Sequence, residues 1–285
     1  MKKRNKSFVI FIPKKIILYF VLTISTIILI AIGFNSTKES SVNPNKTTTV
    51  INRLLEKETV EPIGKVAIII DDFGNFGNGT KEMIAIDKPL TCAVIPFLPY
   101  SKHDAELAHQ GGHEVIIHIP MEPHVGNPKW LGEKGITTNL SSESIMLIIK
   151  EAIEEVPYAV GANNHMGSKA TEDKRIMEAI ITILKENNMY IVDSKTSMNS
   201  VVKELAEMYE VDVFERAIFL DNEKNIPAIK KQLKHLGEIA IKNGTAIAIG
   251  HVGPEGGEIT AIAIKEMIPV LEKMGIEIVP VSHLR

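Results

Sequence analysis

"VAIIIDDFGN", residues 66 to 75, decides how the chain is read. Five apolar residues, Val66 to Ile70, run directly into two adjacent carboxylates, Asp71 and Asp72, with Gly74 just beyond. A continuous, mostly β-branched run of this kind is what a strand buried on both faces requires. Two like charges at its end repel each other unless a positive group lies close to both. The stretch therefore asks for a cation or a cluster of basic side chains.

Outward from it the pattern alternates. "LTCAVIPF" (90–97), "HEVIIHI" (113–119), "YAVGANNH" (158–165), "MYIVDS" (189–194), "TAIAIGH" (245–251) and "IEIVPV" (276–281) read as further strands. Between them lie segments with helical spacing. In "SSESIMLIIKEAIEEV" (141–156), Ile145, Ile148, Ile149, Ala152, Ile153 and Val156 share one face, and Ser141 or Ser142 is placed to cap it. Helices are also expected in 101–110, 172–188, 200–209, 225–243 and 258–274. Strand–helix alternation at this spacing implies parallel strands with crossover helices. About seven such units suit one α/β barrel-like domain over residues 63–285 better than two domains.

Polar residues end these strands, and in parallel α/β folds that is where reactive groups converge. The first strand ends in Asp71 and Asp72, the third in His118 with Glu122 beyond it. The next supply Asn163, Asn164 and His165, then Asp193, then His251. Each alone is ordinary capping or packing. Together they are the ligand types of an oxygen and nitrogen metal site, with a divalent cation the natural partner of the paired carboxylates. Trp130, the only tryptophan, lies in a long segment between strand and helix, where it could stack on a sugar ring or plug the loop onto the core. Cys92, the only cysteine, excludes an internal disulfide and reads as a small core residue.

The N-terminal part reads differently. Six basic residues occupy residues 1–15, ahead of an uncharged apolar stretch at 16–34 that is long enough to cross a bilayer as a helix. Basic residues on that flank orient the remainder to the outside of the cell membrane, as a single-pass, uncleaved signal anchor. Residues 35–62 are polar and read as a flexible stalk. Without the basic segment, 26 basic residues face 35 acidic ones, which disfavours nucleic acid as a partner.

"VAIIIDDFGN", "GHEVIIHIPMEP", "NNHMGS", "VDSKTS", "FLDN" and "AIAIGH", in that order, resemble the motifs of the divergent polysaccharide deacetylases, a branch of the polysaccharide deacetylase (chitooligosaccharide deacetylase-like) superfamily. The resemblance covers residues 64 to 285. It implies a deformed seven-stranded β/α barrel and a metal-dependent hydrolase that removes N-acetyl groups from an envelope glycan such as peptidoglycan. It also implies zinc as the metal, Asp71 as general base, Asp72 and His118 as metal ligands and His251 as general acid. Asp193 is expected to orient or charge-stabilise a histidine, and Asn164 and Trp130 to face substrate. Where the superfamily has a second histidine, four residues after the first, this chain has Glu122. Either Glu122 is a ligand or His165 fills that corner. His165 is preferred, because imidazole suits zinc and Pro123 follows Glu122. The superfamily's arginine–proline motif has no counterpart near the fourth strand; "NNHMGS" stands there. A backbone N–H near Gly161 is a candidate oxyanion donor. The rival readings are an envelope glycan- or protein-binding module on the same barrel and, last, a metallo-phosphodiesterase drawing on Lys169, Lys195 and Arg216.

Overall fold

A computed structural model describes residues 61–284. The expected basic segment, the anchor at 16–34 and all but the last two residues of the expected stalk lie outside the described residues. Among the described residues no helix is long and apolar enough to cross a membrane.

The strands are β1 (Gly64–Phe73), β2 (Thr91–Val94), β3 (Glu114–Met121), β4 (Ala159–Met166), β5 (Tyr190–Asp193), β6 (Val213–Glu215), β7 (Ile218–Phe219), β8 (Thr245–His251) and β9 (Ile276–Ile278). The helices are α1 (Thr80–Ile84), α2 (Ser101–Gln110), α3 (Ser142–Glu155), α4 (Lys174–Glu186), α5 (Val202–Met208), α6 (Ile226–Asn243) and α7 (Glu258–Lys273). All the strands pair in parallel, in the order β6-β5-β4-β3-β2-β1-β8-β7, with β9 against the first residues of β1. Strand pairing of this kind needs crossover connections, and the helices supply them.

This corrects the seven-stranded expectation in two ways. The sheet has nine strands, because β6 and β7 are three and two residues long and carry too few residues for a periodic signal. It is also an open, curled sheet, since β6 and β7 are its two ends and do not pair with each other.

The curl is visible in the core. Val66, Ile68 and Ile70 of β1 pack with Cys92, Val94, Val115, Ile117 and the helix faces in one cluster. The alternate residues Ala67 and Ile69 pack with Ala93, Ile116, Val192, Ile247 and Ile249 in a second, inner one. Strands two-thirds of a sheet apart meet inside only if the sheet wraps around them. Each fully buried isoleucine in these layers contributes about 1.5–3 kcal/mol. Val281, from the last turn, enters the inner cluster. There its N–H donates to Thr91 Oγ1 at 3.1 Å, so the terminal segment plugs the amino end of the barrel.

Local capping follows the sequence. Ser141 caps α3, its Oγ accepting the N–H of Ser144, and Asp173 caps α4 by accepting from Arg175 and Ile176. Cys92 is buried in the core, and burial pushes its thiol well above the ordinary range.

Candidate metal centre

Side chains alternate along a strand, so the inner face of each strand runs on into the site. Ala67 and Ile69 are followed on that face by Asp71, Ile116 by His118, and Ile247 and Ile249 by His251. Asp71 pairs in register with His251 across β1–β8, and His118 with Asn163 across β3–β4. Asp72 would by alternation point outward. It does not, because its φ is 70° and the β1–β2 register shifts between Ile70 and Phe73. A left-handed residue in a bulge turns the side chain back toward the barrel mouth.

Three ligand atoms converge there. Asp72 Oδ1 lies 3.3 Å from His118 Nε2 and 3.0 Å from His165 Nδ1, and the two ring nitrogens are 3.2 Å apart. Donors about 2.0 Å from a tetrahedral ion lie roughly 3.3 Å from one another, so this triangle has the dimensions of three coordination corners. Asp72 Oδ1 is buried and accepts no hydrogen bond. An orphaned, buried carboxylate oxygen facing two imidazoles is what a cation site looks like from the protein's side. One carboxylate and two imidazoles, with the Asp71 carboxylate beside them, fit a divalent ion.

The charges agree. Burial would raise the Asp72 carboxyl, but His118 and His165 outweigh it and hold the group well below the usual carboxylate range. Burial opposes a charge on His118, yet Asp71 and Asp72 raise its pKa. The pocket thus favours a positive charge at the triangle, a demand that a metal ion meets in place of a proton. Asp71, fully enclosed, is raised by burial and by the Asp72 charge, against the pull of His118 and His251.

A second layer fixes the ligands. His118 Nδ1 lies 2.6 Å from Asn163 Oδ1, and Asn163 Nδ2 donates to Asp71 Oδ1 at 2.8 Å. One amide thereby makes His118 Nδ1 the protonated nitrogen, presents Nε2 to the triangle and leaves Oδ2 of Asp71 outside the amide's grip, 3.5 Å from His118 Nε2. On the opposite wall His251 Nδ1 lies 2.8 Å from Oδ1 of the buried Asp221. Burial works against a charged His251 ring. The bond to Asp221 and the charges of Asp71, Asp221 and Asp72 prevail, raising its pKa to about 9.

Several expected residues lie elsewhere. Glu122 is spent on Lys169 Nζ at 2.6 Å and on the N–H and hydroxyl of Thr138, so it leaves the triangle to His165. Asp193 is buried at the end of β5, where it accepts the N–H of Lys195. The carboxylate bonded to His251 is Asp221, which corrects the histidine partner expected of Asp193. Asn164 is occupied in joining the ends of β4 and β5, accepting from Ser194 N and donating to Met166 O and Thr196 Oγ1. Both of its amide N–H groups are thereby engaged within the protein. Trp130 is 61% exposed on a short 3-10 turn after β3, so it does not plug the core. Gly161 lies earlier in β4 than the site residues, in register with Tyr190, and a Cβ there would strike the tyrosine ring. Its N–H is not at the mouth.

Asp221 was not singled out as a site residue, and Arg216 was considered only as a basic group for the phosphodiesterase reading. Asp221 follows the two-residue β7, and its sequence signals are the short "AIFLD" run and the motif "FLDN" that contains it. Arg216 donates through Nε to Ser194 O and through Nη2 to Lys195 O, and its guanidinium stacks 3.7 Å over Phe219. Burial lowers its pKa, and the charges of Asp193 and Asp71 oppose that. Arg216 therefore brings a cationic charge to this wall.

Comparison with known proteins bears on the family and the fold. The chain is 39% identical over 191 residues to "Uncharacterized protein YibQ" of Escherichia coli (strain K12), covering 67% of this chain and 59% of that protein. It is 34% identical over 190 residues to an uncharacterized protein of Haemophilus influenzae, covering 67% of each. The chain thus spans under two-thirds of the Escherichia coli relative. In fold it is similar to the crystal structure of an uncharacterized protein from Agrobacterium tumefaciens C58, with a TM-score of 0.72 at 21% identity over 80% of this chain and 91% of that one. Residues 68–285 match the family model described as divergent polysaccharide deacetylase. The chain belongs to the divergent polysaccharide deacetylase family.

Proposed function

We propose that this domain is a metal-dependent hydrolase that removes N-acetyl groups from a cell-envelope polysaccharide of the peptidoglycan class, with zinc as its ion. One observation carries the reading: Asp72, His118 and His165 converge on one point, with Asp71 beside it and His251 in register with Asp71. When bound, the ion supplies Lewis acidity, which polarises an amide carbonyl and makes a water more acidic.

The chain's own groups do the rest. Asp71 takes the proton of the attacking water through Oδ2, since Asn163 occupies Oδ1. His251 is held charged at neutral pH and has Nδ1 engaged by Asp221, so Nε2–H is left to protonate the departing amine. Without that proton an amine leaves poorly. Asp221 holds the ring in this orientation, and Arg216 offsets the carboxylate charge.

The apolar stretch at 16–34 supports a place outside the cell membrane, with the stalk letting the domain reach the wall. The test is acetate release from purified peptidoglycan by the full chain, with Asp71→Asn and His251→Ala beside it. Release by the wild type that both substitutions abolish supports the reading. An ion bound without acetate from any acetylated glycan contradicts it and leaves a binding module.

A further inference from the structure

At the same mouth, three aromatic rings form a group that the catalytic reading does not use. Phe76 follows Asp72 by four residues, which bounds the distance between their Cα atoms at about 14 Å. Its ring lies 5.8 Å from that of Tyr100 at an interplanar angle of 28°, and 5.4 Å from that of His103. Tyr100 and His103 are 6.0 Å apart, edge to face. Lys81 Nζ stands 5.3 Å from the centre of the Phe76 ring. Tyr100 is 45% exposed and His103 is exposed, at the loop after β2 and the first turn of α2.

The group is held rigidly. Asp104, fully buried, accepts the N–H of Gly74 at 2.8 Å and of Phe76 at 3.0 Å through a single oxygen. Tyr100 N–H donates to Gly74 O at 2.9 Å, which ties the two loops to each other. Ser101 Oγ bridges Leu98 N and Ile95 O beneath them. Phe76 itself has φ of 49°, a left-handed conformation that a bulky residue adopts only where its surroundings impose it. Gly74, at φ 124°, passes so close to Ile95 O that a Cβ would meet it at 2.8 Å. The fold thus imposes strain in order to hold Phe76 beside Tyr100.

Exposed aromatic surface on interlocked loops loses little entropy when it is covered. The C–H face of a pyranose ring is apolar and slightly positive, and it complements the negative face of an aromatic ring. A cation over the neighbouring ring adds a partner for a carboxylate or hydroxyl on the same sugar. We propose that Phe76, Tyr100 and His103 form a sugar-stacking subsite, with Tyr100 presenting its face to a glycan residue next to the one whose acetamide reacts. This rests on the deacetylase reading of the metal centre for its substrate class.

The test uses the full chain with tetra-N-acetylchitotetraose and purified peptidoglycan as probes. Affinity is measured by titration calorimetry for the first and by sedimentation for the second. Wild type, Tyr100→Ala and Tyr100→Phe are compared, with bound metal measured in each. Tyr100→Ala is expected to bind roughly tenfold more weakly, and Tyr100→Phe, which keeps the ring face, to bind like wild type, with metal content unchanged in both. Equal affinity in all three, or no binding of either probe by the wild type, overturns the subsite. Weaker binding by Tyr100→Ala, together with no acetate release by the wild type, supports the subsite and removes the deacetylase reading. Acetate release with an unaltered KM in Tyr100→Ala overturns the subsite and leaves the deacetylase reading standing.

Discussion

Asp221 grips His251 twice: its Oδ1 lies 2.8 Å from the ring Nδ1, and its Oδ2 accepts the residue's own backbone N–H at 2.8 Å. Thr260 Oγ1 donates to the same Oδ2 at 2.9 Å. The ring is thus fixed in position as well as in charge. Asp221→Asn keeps the shape and removes the charge, so kcat should fall by roughly 10²-fold. Burial favours the neutral ring, and Asp221 is foremost among the groups that outweigh it and raise His251 to about 9. The acid form is therefore present below that value and lost as pH rises through it. In the variant the alkaline limb of the kcat profile should move to lower pH. An unmoved limb would assign it to another group.

Gly256 packs against the same carboxylate. A Cβ there would land on Asp221 Oδ2, Thr260 Oγ1 and His251 O. Gly256→Ala should therefore reproduce the loss of activity seen with Asp221→Asn while metal content stays at the wild-type level. Metal analysis beside an acetate assay checks both halves of this expectation.

Asn163 joins the expected ligand His118 to the expected base Asp71 through one amide. Asn163→Ala leaves two buried polar atoms unpaired, at a cost of about 1–3 kcal/mol in stability. Loss of the group that orients a metal-ligating histidine weakens metal affinity by roughly 10–100-fold. Urea unfolding and a competitive chelator titration measure the two effects separately. Wild-type metal affinity in this variant would mean that the amide does not set the tautomer of His118.

His113 offers a pH test remote from the site. Its Nδ1 accepts Leu90 N–H at 3.1 Å, and its Nε2 lies 3.0 Å from Ile84 O. Burial lowers its pKa below the ordinary 6.5, only partly offset by the bond to Ile84. The neutral form is the one the fold holds, so this stability is present above 6.5 and lost as pH falls through the depressed value. His113→Asn keeps an acceptor for Leu90 and does not titrate. The drop in urea midpoint between about pH 7 and about pH 5 should be smaller in the variant than in wild type.

Much of the fold could be read along the chain because the central strands are buried on both faces, and Val66–Ile70 or Ala246–Ile249 leave little else to suppose. The strand-end residues Asp71, His118 and His251 could be read for the same reason, since alternation carries the inner face into them. Asp72 was legible as a partner of Asp71, but not as a left-handed residue in a bulge, which depends on how β1 meets β2. β6 and β7 are too short for any period to appear, so the roles of Asp221 and Arg216 at the site could not be read, although the motif "FLDN" and Arg216 were noted. Asp193 ends a clear strand and was given the partnership with histidine that Asp221 holds. Distances between loops such as those of Phe76 and Tyr100 are set by tertiary contacts through Asp104, and spacing along the chain does not encode them.

The central claim is that Asp72, His118 and His165 share one ion. The direct measurement is elemental analysis of the full chain after reconstitution with zinc and removal of excess metal, for wild type, Asp72→Ala, His118→Ala, His165→Ala and Glu122→Ala. The expected result is one ion per chain in wild type and in Glu122→Ala, and its loss in the other three. An ion-free wild type, or an ion kept by Asp72→Ala and lost from Glu122→Ala, would contradict the claim.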